Sequence, residues 1–165
     1  MRGFFLCFFF IYLTFKKIKN MYEFIKSFHS GWAYLALLVL VLAIVNSIIG
    51  FTSKKEFTKK DKLFGLFGII GTHTQLLAGL IIYFVSPNGF KLFESGVGNV
   101  MKTAELRLTA VEHPVINILA ITLITIGWIK HKKLATSESK FKTFMIFYGL
   151  GLLLILSRMP WSLWF

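Results

Sequence analysis

Three histidines, His29, His73 and His113, lie within or at the start of long apolar stretches. An imidazole in hydrocarbon is costly, so in a membrane segment it marks a metal ligand, a proton path or a cofactor contact. His29 and His113 stand at corresponding ends of the first and third stretches, which run in the same direction. Two imidazoles at similar depth on different helices are what a haem with two axial histidines requires. At a rise of about 1.5 Å per residue these two are nearly level, whereas His73, in the middle of the second stretch, lies ~10 Å deeper. His29 with His113 is therefore the expected metal-ligand pair, and a pair through His73 requires helix tilt. His131 sits among lysines and reads as a solvated or lipid-facing residue.

Several polar residues accompany the histidines. His73 belongs to Gly71-Thr72-His73-Thr74-Gln75, and a polar cluster in mid-span should face the bundle interior. Gly68, Thr72, Gln75 and Gly79 share one helical face, suited to close helix packing or to a flat cofactor. His73 either makes a structural hydrogen bond there or faces a cofactor or quinone. Glu112 either orients His113 as an acceptor or is a solvated first-turn carboxylate. Arg107 and Arg158 fall near the same end as His29 and His113, where they would meet haem propionates or simply snorkel beside an aromatic belt of Trp161 and Trp164. Asn117 and Ala120 continue the His113 face. Gln75, His73, Arg107 and Arg158 thus join the two expected ligands as candidate cofactor-binding residues. No catalytic residue stands out: Walker A, GxGxxG, GxSxG and HExxH patterns are missing.

The elements that must position these residues are four apolar stretches, 29–50, 63–85, 111–129 and 144–159. A bilayer core of roughly 30 Å needs roughly 20 apolar residues as helix, so each stretch can span. Hydrophobic residues make up 56% of the 165-residue chain, 19 of them Phe, and strand-like alternation is lacking. The expected class is all-α, an integral membrane four-helix bundle, with 21–165 as its single domain.

The net charge of +12 does not point to nucleic acid, because its distribution follows the stretches. Lys54, Lys55, Lys59, Lys60 and Lys62 lie between the first two, and Lys130, Lys132, Lys133, Lys140 and Lys142 between the last two. The 86–110 connection carries few basic residues and is offset by Glu94 and Glu105. The positive-inside rule then places both lysine loops in the cytoplasm and both chain ends outside, in a bacterial inner membrane, with anionic lipid as a partner. The lone Cys7 excludes an internal disulfide and covalent c-type haem.

The segment 1–20 is too short in its apolar part to span and has no small-residue cleavage site. It reads as an upstream extension or a surface segment, with the functional chain starting at Met21. N-terminal sequencing of the native protein tests this, and a mature terminus at Met1 would remove the idea.

His29 opening Gly31-Trp32-Ala33-Tyr34, Gln75 followed by Gly79, and Glu112-His113 opening the third stretch together resemble small four-helix b-type cytochromes, and in particular one half of a haem A synthase-type bundle. The resemblance covers about 145 residues from Met21. It implies haem b held by histidines on alternate helices around a helix with a Gln-x-x-x-Gly-like face. It also implies electron exchange with a quinone or a periplasmic redox partner, as an electron-transfer subunit rather than a stand-alone enzyme. Two features depart from that family: a single bundle in place of two fused halves, and no cysteine pair in an outer loop. From a different class, the alternative is a non-haem accessory or assembly subunit of a larger membrane complex, packing through glycines of the second and fourth stretches. A proton-coupled transporter is disfavoured because the spans carry no mid-membrane carboxylate.

Overall fold

The computed structural model describes the backbone of residues 2–163 and the side chains of 20–162. Every element among them is helical. Helix α1 runs Arg2–Thr52 and α2 runs Lys59–Val85. The next connection holds a 3-10 segment at Phe90–Ser95 and two short helices, α3 (Val97–Lys102) and α4 (Ala104–Arg107). A π-helical stretch, Leu108–Glu112, then leads without a break into α5 (His113–His131), and α6 (Ser137–Ser157) completes the bundle. The segment 1–20, expected as an extension, belongs by its backbone to α1 from Arg2 onward; the side chains of 1–19, and Trp164, lie outside the described residues.

Among the described residues, four segments are long and apolar enough to cross a membrane: Asn20–Thr52, Lys59–Ser95, Ala104–His131 and Ser137–Ser157. Their outward faces expose Leu38, Phe67, Ile70, Leu119 and Leu153, surface that only lipid would solvate well. The chain is accordingly read as a multi-pass membrane protein. Helix α6 begins seven residues before the expected 144, because Lys140 and Lys142 extend the helix without being apolar. Thr136 caps it by accepting from the Ser139 amide at 3.2 Å. It stops at Ser157, just ahead of Met159-Pro160, where the residue before proline leaves the helical region.

Helix α1 packs on α2 and α6, and α5 packs on α6 and α2. The four long helices therefore form a ring in which α1 and α5 stand diagonally across the axis. The core between them holds Leu40, Ala43, Ala120, Ile124, Phe144 and Tyr148. Between membrane helices, close approach rather than water exclusion supplies the packing energy, and small residues permit it. A Cβ on Gly65 would fall 2.5 Å from the Phe144 ring, one on Gly68 3.0 Å from Tyr148, and one on Gly71 3.3 Å from the Ala36 Cα. Tyr148 Oη donates to the Gly65 carbonyl at 2.9 Å, tying α6 to α2. The glycines of α2 are thus spent inside the bundle. On α6, Gly151 packs against Ile124, while Gly149 faces open space. Gly151→Ala is expected to destabilise the bundle by about 1–3 kcal/mol, read as a lower melting temperature in detergent. Its Cβ would lie 2.6 Å from Ile124 Cγ1 and 3.2 Å from the Ala120 carbonyl oxygen, a backbone atom that has nowhere to move.

The two lysine connections meet at one end of the ring, where the Phe57 amide donates to Ser137 Oγ at 2.9 Å. Asp61 is buried there as a staple. Its carboxylate accepts from Lys55 Nζ at 2.6 Å, Asn46 Nδ2 at 3.0 Å, and the Thr58 amide and hydroxyl at 2.8 and 2.6 Å. His131, expected to be solvated or lipid-facing, is instead buried, packed among the rings of Phe57, Trp128 and Phe144. Its Nδ1 meets the Trp128 carbonyl. Position in a lysine-rich segment misleads here because the helix turns this one residue inward.

Candidate functional site

The opposite end of the ring holds a cavity of about 240 Å³ between the diagonal helices. His29 and Ala33 line it from α1, Gln75 and Gly79 from α2, and His113 and Asn117 from α5. Both expected ligands therefore face one space across the bundle axis. Leu40 and Ile121 line its deeper, apolar part, and the exposed Lys26 and Asn88 line the other end, where it opens.

His113 is held in one tautomer. Its Nδ1 lies 2.9 Å from the Arg158 carbonyl oxygen, which can only accept, so Nδ1 carries the proton. Asn117 Nδ2, 3.2 Å from the same Nδ1, is itself a donor and cannot accept that proton; it donates to the His113 carbonyl at 2.7 Å. His113 Nε2 is left with its lone pair, and a carbonyl behind Nδ1–H is the usual arrangement that orients a metal-binding imidazole. The acceptor that sets this tautomer is the Arg158 backbone and not Glu112, the neighbour from which orientation was one of two expectations.

The helix is built to place this residue. Pro114 has no N–H, so the carbonyl four residues back, at Ala110, has lost its usual helical partner. Tyr83 Oη from α2 donates to that carbonyl at 3.0 Å, and the π-helical stretch absorbs the irregularity just before His113. Tyr83→Phe leaves this part-buried carbonyl unpaired and is expected to cost about 1–3 kcal/mol, seen as reduced thermal stability without loss of the helical circular dichroism signal.

His29 is held differently. Its ring lies against Gly79, where an added Cβ would come within 3.0 Å of His29 Cε1. Gln75 Nε2 donates to the His29 carbonyl at 3.0 Å and only weakly approaches the ring at Nε2, 3.4 Å away. His29 Nδ1 and Gln75 Oε1 are buried without a hydrogen-bond partner. Buried polar atoms are nearly always paired, so two orphans on the wall of one cavity point to a polar or metal-bearing occupant.

The remaining candidates separate. His73 does not line the cavity; its Nδ1 meets the Ile69 carbonyl at 2.8 Å and its Nε2 approaches Thr125 Oγ1 at 3.4 Å, on the α2–α5 contact. Arg107 and Arg158 gather at the His113 end but turn toward Glu112, with Nε atoms 2.8 and 3.3 Å from its two carboxylate oxygens. Arg107 also donates to the Met101 carbonyl at 2.7 Å. Lys26 and Tyr22 at the cavity mouth were not anticipated as site residues; lying N-terminal to the first apolar run, they gave no sign of facing it.

The donor set suits haem iron: two imidazoles from diagonal helices, one with a preset free nitrogen. Among the described residues no group of three or more His, Cys, Asp or Glu side chains gathers to hold a metal ion, and a two-imidazole site needs none. The volume exceeds the ~150 Å³ that takes a benzene ring and falls below the roughly 300–1,000 Å³ usual for larger ligands. A whole porphyrin thus needs the open mouth as well as the enclosed space. No protein family, curated protein or solved structure matches the chain.

Proposed function

We propose that the chain is a membrane b-type cytochrome-like protein that holds haem b between α1 and α5 for electron transfer. The observation that carries this reading is the placement of His29 and His113 on diagonal helices, lining one cavity at the same end of the ring. His29 and His113 would hold the haem iron, and the haem would supply one-electron redox chemistry.

The chain's own residues do the rest. The Arg158 carbonyl fixes His113 by its Nδ1–H, and Gly79 admits the His29 ring against the α2 backbone. Gln75 holds the His29 main chain, and the apolar depth of the cavity keeps water out. Arg107 and Arg158 share one carboxylate, Glu112, so one positive charge remains in excess beside the site for propionates. Gly79→Val would push the His29 ring aside, and it is expected to lower haem content at least several-fold, measured as absorbance per mole of purified protein.

The lysine distribution supports placing the two lysine connections in the cytoplasm of a bacterial inner membrane and the cavity near the outer face, within reach of a quinone or periplasmic redox partner. The test of function is a reduced-minus-oxidised visible spectrum of the full chain, purified in mild detergent after expression with ample haem. The narrow bands of a low-spin b haem are expected. A featureless spectrum contradicts the reading and favours a non-haem accessory subunit.

A further inference from the structure

The lysine end of the ring, opposite the histidine cavity, holds a second concavity, a depression of about 310 Å³ where the α1–α2 and α5–α6 connections meet. Its charged lining is Lys59 and Lys62 from the start of α2 with Lys132 and Lys140 from the other connection, and His131 beside them. No carboxylate lines it. None of these four ammonium groups is paired within the described residues, where the ion pair at this end is Lys55 with Asp61. Lys132 Nζ lies 4.9 Å over the Trp128 ring and Lys140 Nζ 5.6 Å over the Phe57 ring. Such ring contacts hold an ammonium in place without neutralising it.

Four like charges drawn together from separate parts of the chain repel, and the repulsion grows where protein displaces water. An anion seated among them would reverse its sign. We propose that this depression is a binding site for a phosphate group, carried either by an anionic lipid headgroup or by a soluble phosphate. Lysine suits that role as a point-charge donor to phosphate oxygens, and basic pockets between membrane helices take phospholipid headgroups. The proposal rests on the packing of the two connections and is independent of haem.

The experiment is the melting temperature of the full chain in mild detergent. One arm compares inorganic phosphate with chloride at equal ionic strength and pH; the other compares micelles doped with phosphatidylglycerol and with phosphatidylcholine. A rise of roughly 4 °C or more is expected in at least one arm. It should be lost in a Lys62→Gln/Lys132→Gln double variant and kept in Lys133→Gln, which lies outside the depression. A response to inorganic phosphate identifies a soluble phosphate site, and a response to phosphatidylglycerol alone identifies a headgroup site. Should the double variant not fold, Lys62→Gln alone reads the same loss at smaller amplitude, since Lys62 is exposed. No rise in either arm, or an equal rise in the variants, overturns the proposal.

Discussion

His113→Ala and His29→Ala are each expected to strip the purified protein of bound haem, lowering haem content by at least 10- to 100-fold. Loss of a residue that merely orients a metal ligand already costs about 10–100-fold in affinity, and loss of the ligand costs no less. The expectation is specific because of the ring arrangement. Each imidazole reaches the cavity from a different side, and the described residues place no third histidine on its wall to take over. His73→Ala is the internal control. It removes a hydrogen bond to the Ile69 carbonyl within α2 and a long contact to Thr125, so it should lower stability modestly while haem content stays near that of the parent. Haem loss in His73→Ala equal to that in His113→Ala would instead show that the ligand pair runs through α2. His113→Ala also gives up the hydrogen bond to the Arg158 carbonyl, and His29→Ala the ring contact with Gly79, so without haem each should melt modestly below the parent.

Asp61→Ala is expected to destabilise the fold by about 3–5 kcal/mol, the largest structural effect of any single change considered. The carboxylate is buried, with a side chain 3% exposed, and it joins three parts of the chain: Asn46 on α1, Lys55 in the connection, and the Thr58 cap of α2. Removing it strands the part-buried Lys55 ammonium and the Thr58 amide together. Asp61→Asn keeps the shape but not the charge, and it should cost less than Ala while still costing more than a surface change. Chemical or thermal unfolding of the two variants in the same detergent gives the comparison, and equal stability of Asp61→Ala and parent would contradict the staple.

Much of the architecture was legible in the sequence because the bilayer imposes length and apolarity on each helix, and those are composition-level signals. The four spans and the inward face of Gln75 and Gly79 follow from those signals. What was not legible depends on partners far apart in the chain. Nothing near His113 announces that its orienting acceptor is the Arg158 carbonyl, 45 residues away. The burial of His131 depends on the rings of Phe57 and Phe144, brought from two other segments. The burial of Asp61 depends on Asn46 and Lys55, which reach it from α1 and the connection. Pro114 suits the first turn of a helix, but here it lies within a continuous one, four residues after Ala110, so that carbonyl needs a donor from elsewhere, and Tyr83 supplies it.

The most direct measurement of the central claim is pyridine haemochrome quantification on the full chain, purified in mild detergent from cells supplied with haem. The proposed function predicts about one haem b per chain, with the narrow reduced bands of a low-spin b haem. Protein that stays colourless under those conditions, while folded and helical, would contradict the account and leave His29 and His113 as the walls of a site for some other ligand.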